Sequence, residues 1–516
     1  MSIQTLIKPS QYYDSVSLML VARELTKLDG VQDAAVIMAT EANKAMLKEA
    51  GLLTAEAQAA GPNDLVIAVL TAGENGAGEA ALAKAESLLA QKTGSGGSAE
   101  FRPKTLRGAA RNNPAANLAV ISVAGRYAVA EAWSALRSGL HVLLFSDNVP
   151  VEDEVALKTY ARDHGLLLMG PDAGTAIING AALGFANAVP RGPVGLVSAS
   201  GTGLQEVSTL LAKLGVGVSQ ALGVGGRDVK ASVGGLMMLE GVKALQADPA
   251  TQVLLLVSKP PDPAVMQKIL GQVQASDKPA VVCFLGGDPE LAAGAIPART
   301  LQEAAYLAAA QVEGYEGPDA AAVLEMERLD LVTQATHLRT LLKPEQKYLR
   351  GLFSGGTLAA ETLLLWNEQV GGVWSNIAPN KQWQLPQATE SQEHTVVDLG
   401  EDEFTVGRPH PMIDNDLRMR RMLREAADPS VAVVMLDVVL GYGAHPDPAS
   451  ELGPAIRQMK TAAAERGQEL IVLGAVTGTE ADPQRLSKQV AALEASGMLV
   501  LTSNAAAAKL AALIVK

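Results

Sequence analysis

A chain of 516 residues is too long for one hydrophobic core and predicts three or four domains. Its 48% apolar and 19% charged content is that of a globular protein, and a net charge of −13 argues against nucleic acid, whose phosphates call for basic surfaces. The single cysteine, Cys283 in the apolar run AVVCFL, excludes a disulfide framework and a cysteine-cluster metal site and reads as a core thiol.

Residues 1–95 read as a small α/β module. IQTLIKP, DAAVIMAT and NDLVIAVLTA have strand length and β-branched content, while DSVSLMLVARELTKLDG, NKAMLKEAGL and GEAALAKAESLLAQK have helical periodicity. The amino terminus lacks a signal-peptide pattern. No stretch reaches the roughly 18 apolar residues a membrane span needs, so no membrane partner and a cytoplasmic location are expected. The Gly/Ser-rich segment KTGSGGSAEFRPK then reads as a linker.

Residues 105–190 alternate strictly between strand and helix: ANLAVISVA, RYAVAEAWSALRSG, HVLLFSD, PVEDEVALKTYARDHG, LLLMGPD. Strands separated by helices of this length imply a parallel, Rossmann-like sheet with right-handed crossovers. Asp172, in GPDAGTAIING, reads as the cap of a further helix. The segment AVPRGPV marks a boundary, and 191–320 restarts the pattern with VGLVSAS and the helix GLQEVSTLLAKLG. Residues 345–516 repeat the order of parts from LRGLFSGG and TLAAETLLLWNEQ onward. The expected fold class is α/β: a small module, a Rossmann-like domain, then two copies of a flavodoxin-like domain.

Parallel sheets bind ligands where strand ends meet helix starts, because unpaired N–H groups gather there and carry partial positive charge. Two loops have that form. Ser200, Gly201, Thr202 and Gly203 follow one strand, and Ser354, Gly355, Gly356 and Thr357 follow its counterpart. Small residues let backbone approach an anion, and hydroxyls add donors, so the pair reads as a phosphate or acyl phosphate site. Each loop taken singly reads as an ordinary turn with a Ser/Thr cap; it is the matched pair that brings in the anion-site reading. Neither carries the Gly-Lys-Ser/Thr ending of a nucleotide-binding P-loop.

The runs ISVAGRYAVAEAWSALRSGLHVLLFSDNVPVED, MGPDAGTAIING, GPVGLVSASGTGLQEV and GVGGRD together resemble the α subunit of succinyl-CoA synthetase. The repeat from Leu349 resembles the carboxyl-terminal domain of its β subunit. With FTVGRPHPMID and KPPDPAV, the single chain resembles the FdrA family. The resemblance implies a CoA-binding-type domain at 105–190 and two succinyl-CoA synthetase-type flavodoxin-like domains. It also implies a phosphate cradle between two helix starts. Two departures stand out. The loop Gly286–Thr300, where the synthetase carries its phosphorylated histidine, has none, and no stretch remains for an ATP-grasp domain.

The FdrA resemblance implies a subunit of oxamate carbamoyltransferase type, in which oxalurate and phosphate give oxamate and carbamoyl phosphate with the help of further subunits. Its ligands would be phosphate or carbamoyl phosphate and a small carboxylate. In that reading Arg227, beside Gly225 and Gly226, and Arg408 are candidate donors to the substrate, each alternatively an ion-pair partner of a nearby Asp. His410, held between two prolines, is a candidate proton donor to the leaving nitrogen or a structural loop residue. His445 is a weaker candidate, and His141, His164 and His337 lie in strand or helix contexts. No metal-ligand spacing occurs. A second reading is a coenzyme A-binding acid–thiol ligase using Gly125, Arg126 and Tyr127, and a third is a non-catalytic scaffold subunit.

Overall fold

The computed structural model describes residues 2–11, 13, 15–40, 43–44, 47–48, 50–73, 76–93, 103–288, 294–405 and 409–516. The chain forms two compact units, Met1–Thr105 with Glu401–His410, and Leu106–Gly400 with Pro411–Lys516.

The first unit holds β1 (Ser2–Lys8), α1 (Ser15–Thr26), β2 (Val31–Met38), α2 (Ala55–Ala59), β3 (Leu65–Thr71) and α3 (Ala77–Thr93). The sheet runs in the order β1-β3-β2 and is antiparallel throughout. Central β3 is apolar on both faces because both are covered. Leu65, Ile67 and Val69 pack with α1 and α3, and Val66 and Ala68 pack with Leu47, Leu52 and Ala57. In the expected helix NKAMLKEAGL residues 45, 46 and 49 lie outside the described residues, and residues 43, 44, 47 and 48 are helical; most of the linker KTGSGGSAEFRPK lies outside them.

The second unit begins with α4 (Leu106–Asn112), β4 (Leu118–Ile121), α5 (Gly125–Leu136), β5 (His141–Leu144), α6 (Val151–Asp163) and β6 (Leu168–Met169). Strands β4, β5 and β6 form the expected parallel sheet. The segment GPDAGTAIING does not start a helix. Asp172 has φ of 55° and its amide bonds the Ser146 carbonyl. The chain then makes the hairpin β7 (Thr175–Ile178) and β8 (Ala181–Gly184), turning at Asn179-Gly180, both at positive φ. Asn-Gly suits that turn because both positions need left-handed backbone.

The hairpin belongs to the next sheet, since β7 pairs antiparallel with β10. That layer comprises β9 (Arg191–Ser198), α7 (Gly201–Lys213), β10 (Val218–Gly223), α8 (Leu236–Ala247), β11 (Val253–Ser258), α9 (Pro263–Gln274), β12 (Ala280–Phe284), β13 (Ile296–Pro297) and α10 (Leu301–Ala310). Its order is β13-β12-β11-β9-β10-β7-β8. Strand β9 has β10 on one side and β11 on the other, so α7 leaves from the point where strand order reverses.

Helix α11 (Ala320–Arg339) leads to the second flavodoxin-like layer. This holds β14 (Tyr348–Phe353), α12 (Gly356–Gln369), β15 (Trp374–Ser375), β16 (Thr395–Asp398), α13 (Asp416–Ala426), β17 (Val431–Val439), α14 (Pro448–Glu465), β18 (Ile471–Thr477), α15 (Leu486–Glu494), β19 (Met498–Leu501) and α16 (Asn504–Val515). Its parallel order is β15-β16-β14-β17-β18-β19, so α12 also starts at a reversal point.

One hydrophobic core joins the two layers. Val207, Leu210 and Leu211 of α7 share it with Leu358, Leu363 and Trp366 of α12 and the alanines of α16. The run of small residues in α16 lets its backbone come close enough for the Trp366 indole N–H to donate to the Ala508 carbonyl at 3.0 Å. Among the described residues no helix is long and apolar enough to cross a membrane.

Candidate site where two helix starts meet

The two Ser/Gly/Thr loops converge. Ser200 caps α7, its Oγ accepting the Gly203 amide at 2.9 Å, and the same hydroxyl bonds the Thr357 hydroxyl in the first turn of α12. The Thr357 amide donates to Thr202 Oγ1 at 3.4 Å. The methyl of Thr202 packs so close to Gly355 that a Cβ there would stand 2.8 Å from it. Glycine at 355 is thus what lets the tips touch. The first-turn amides of Gly201, Thr202 and Gly356 have no partner inside their helices, as helix geometry requires. Gly201 is exposed and Thr202 and Gly356 are half-buried, so an anion can reach them.

The linings of the two tips differ. At α7 the loop is closed by neutral groups: Ser198 Oγ accepts the Ser200 amide at 3.1 Å and donates to the Ser200 carbonyl at 2.7 Å. At α12 a carboxylate is already seated. Asp437 Oδ1 accepts the Ser354 amide at 2.8 Å, and its Oδ2 accepts the Gly355 amide at 2.8 Å and the Ser354 hydroxyl at 2.9 Å. Arg418 donates to Asp437 Oδ1 at 2.8 Å, and both side chains are buried, at 2% and 1% exposure. Asp398 lies beside Gly356, where any Cβ would overlap its Oδ2, and its Oδ1 takes the Gly400 amide at 2.9 Å. Ser354 and Gly355, expected to hold phosphate, therefore hold the chain's own carboxylate. A second anion there would meet the Asp398 and Asp437 carboxylates, of which Asp437 is paired with Arg418, whereas the contacts that close the α7 loop itself are hydroxyls and amides.

Other expected residues are placed as follows. Gly225 has φ of 85° and sits against the Pro171 carbonyl, and Gly226 comes near the Ala199 carbonyl, so this loop lies beside the α7 tip. Arg227, however, turns the other way. Its Nε pairs with Glu154 at 2.9 Å and its Nη2 donates to the Val149 carbonyl at 2.8 Å. This is the ion-pair alternative, with Glu154 in place of an aspartate. Glu154 also holds the fully buried Lys158, which bonds Asp228 and the Val224 carbonyl as well. Arg408 lies outside the described residues, and His410 falls in the first unit.

His445 is fixed in the loop between β17 and α14. Its Nδ1 accepts the Asp447 amide at 3.1 Å, which leaves the proton on Nε2, 3.0 Å from Glu451. His141 and His394 each accept a backbone amide, and burial lowers the pKa of both. Cys283 is buried and its thiol is pushed well above the usual range by that burial. Among the described residues no group of three His, Cys, Asp or Glu could hold a metal.

The start of α5 is closely packed against the chain. A Cβ on Gly125 would overlap the Asp147 and Asn148 carbonyls, so glycine is what lets these backbones approach each other.

Sequence reasoning missed Asp437, Arg418, Asp398, Glu206 and Glu361. A usable signal existed for Asp437, the lone charge in VAVVMLDVVL. One also existed for Glu206 and Glu361, which each stand five residues after the matched glycines 201 and 356.

Three family models match the chain: "AllF, heavy metal-associated domain" over residues 1–103, "CoA binding domain" over 191–286 and "CoA-ligase" over 352–514. The first covers a module without any cysteine. The second falls on the first flavodoxin-like layer and includes the α7 tip, rather than on 105–190. A protein of Escherichia coli, the uncharacterized YahF, is 48% identical over 98% of this chain and 97% of its own length. The succinate–CoA ligase [ADP-forming] subunit alpha 1 of Archaeoglobus fulgidus is 28% identical over 33% of this chain and 58% of its own. A dinucleotide-forming acetyl-coenzyme A synthetase 1 of Ca. Korarchaeum cryptofilum aligns at 14% identity over 82% of this chain and 86% of that one, with a TM-score of 0.36. That last likeness is too distant to carry an argument.

Proposed function

The chain belongs to the family of Escherichia coli YahF and carries CoA-ligase and CoA-binding domains; from that premise we propose that it moves acyl groups to and from phosphate at the α7 tip. The observation that carries the reading is the meeting of Ser200 and Thr357, which sets the neutral, amide-rich start of α7 inside the junction of two flavodoxin-like layers. The loop after β12 has no histidine to carry phosphate, so phosphate itself is the reactant.

In the forward sense a phosphate oxygen, held by the Gly201 and Thr202 amides, attacks the acyl carbon. The new C–O bond forms as the bond to the leaving group breaks, and the leaving group takes the proton that phosphate gives up. The products are an acyl phosphate and the protonated leaving group. Donors aimed at the developing oxyanion lower the barrier, and the Thr202 hydroxyl stands in the first turn of α7 beside the Ser200–Thr357 pair. The CoA-ligase relatives favour a thiol as leaving group. This is the acid–thiol ligase reading, with the nucleotide-dependent half of the reaction left to a partner chain.

A second reading is carbamoyl transfer, in which nitrogen leaves and carbamoyl phosphate forms. It is favoured by the carboxylate of Asp398 beside Gly356, an acceptor suited to an amide N–H.

The test is calorimetric titration of the full chain with phosphate, acetyl phosphate, carbamoyl phosphate and coenzyme A. Phosphate and at least one acyl phosphate should bind, and Gly201→Val should weaken them at least about tenfold, a loss near 1.4 kcal/mol. Gly201 has only Thr175 Oγ1 within reach of a Cβ, at 3.3 Å, so the melting temperature should hold. Undiminished phosphate binding by Gly201→Val would remove the α7 tip from the reaction. Preference between acetyl and carbamoyl phosphate decides between the two readings.

A further inference from the structure

A pair of carboxylates lies behind the two tips and takes no part in the anion site. Glu206 is on α7 and Glu361 on α12, at 2% and 1% exposure. Their contacts are reciprocal. Glu206, from the first layer, accepts the Asn504 amide at 3.1 Å, where the last helix of the second layer begins. Glu361, from the second layer, accepts the Leu301 amide at 2.7 Å, where the last helix of the first layer begins. Asn504 also donates from its side chain to Glu361 Oε2 at 2.8 Å, so one asparagine joins both carboxylates. Thr477 completes Glu206, donating to its Oε2 at 2.5 Å. Each carboxylate thus caps a helix of the other layer, across the seam where Ser200 meets Thr357.

We propose that Glu206 and Glu361 form a proton-operated latch that holds the two flavodoxin-like layers, and with them the two helix tips, together. The proposal rests on the two-tip reading above, whose regulation it describes. Two charges cannot share a buried seam without a large penalty, and one proton on the pair relieves it. Burial pushes the Glu361 carboxyl up to about 7, Glu206 adds to the rise, and the Asn504 and Leu301 donors and Lys509 of α16 oppose it.

Of the other charged groups around the pair, Lys213, further along α7, is held below its usual range by burial and pulled back up by Glu206, the carboxylate it faces. Glu303 of α10 adds negative charge beside Cys283 of β12. Asp398 of β16 is at the start of α12 beside Gly356, and Arg350 of β14 is committed to Glu425 and Asp428. The sign follows from linkage. Because the folded state raises this pKa above the ordinary glutamate value of 4.5, the contribution to stability is complete below that value and is lost as pH rises through about 7.

The experiment is hydrogen–deuterium exchange by mass spectrometry on the full chain at about pH 6 and about pH 8.5, corrected for intrinsic exchange. Peptides covering the starts of α10 and α16 should lose protection several-fold at the higher pH, while peptides of β11 should not. E361Q, which keeps the shape without the proton, should abolish that dependence. Protection that ignores pH in the wild type, or the same pH dependence in E361Q, overturns the latch. If E361Q does not fold, E206Q is measured instead: it removes the charge by which Glu206 raises the Glu361 carboxyl, so the loss of protection should move to lower pH, and a dependence that does not move overturns the latch. Phosphate does not enter this measurement, so failure of the latch and failure of the anion site are read separately.

Discussion

Helices α7 and α12 leave equivalent strands at equivalent reversal points of two parallel sheets, and their first residues touch. At α7 the loop is satisfied by serine hydroxyls and stays electrically neutral. At α12 the equivalent amides are taken by Asp437, which is neutralised in turn by Arg418. The duplicated plan fixes where a helix tip points. What that tip can bind is set by a side chain from a neighbouring strand, 83 residues away in sequence. Two loops that look alike in sequence therefore differ in their partners: at one tip the amides meet serine hydroxyls, at the other a carboxylate.

The strongest test of this contrast is Arg418→Met. It keeps most of the bulk but leaves Asp437 charged, buried and without its cation. Removing one partner of such a pair costs about 3–5 kcal/mol, read as a loss of the chemical-denaturation midpoint of the second unit. A loss below about 1 kcal/mol would mean that the amides alone hold Asp437 and that the seat is not charge-locked.

The next test compares glycines. Gly356→Ala drives a Cβ into Asp398, whose other oxygen is tied to the Gly400 amide and cannot swing away freely. A cost of about 1–3 kcal/mol is expected, as for other overpacked sites. Gly201→Ala meets only Thr175 Oγ1 at 3.3 Å and should change thermal stability little. Equal costs at the two positions would erase the distinction between the tips.

Much of this was legible in the sequence. The strand–helix alternation from Ala116 onward predicts the parallel sheets, and the two Ser/Gly/Thr loops do lie at their carboxyl ends. The filled seat was not legible, because its parts come from three elements. Asp437 belongs to β17, and Arg418 sits in DLRMRRMLREA, a helix whose charges suggest a solvated face until its packing is known. The hairpin at Asn179-Gly180 was within reach, since Asn-Gly between apolar runs is a strong turn signal. The preceding Gly-Pro-Asp drew attention to a helix start instead. Arg227 shows the opposite limit: its loop does lie by the tip, but its guanidinium answers to Glu154, a residue of α6.

The smallest expected effect is the most local. Ser200 Oγ performs two tasks, capping α7 through the Gly203 amide and meeting the Thr357 hydroxyl. Loss of a serine cap costs about 1 kcal/mol. If Ser200 were only a cap, Ser200→Ala and Thr357→Val would act independently, because a cap does not sense the other helix. If the hydroxyls bind the tips together, each single change also leaves a buried partner without its bond. The double change should then cost less than the sum by about 0.5–1.5 kcal/mol. Additivity within about 0.3 kcal/mol would show that the tips are neighbours placed by the surrounding core rather than a bonded pair.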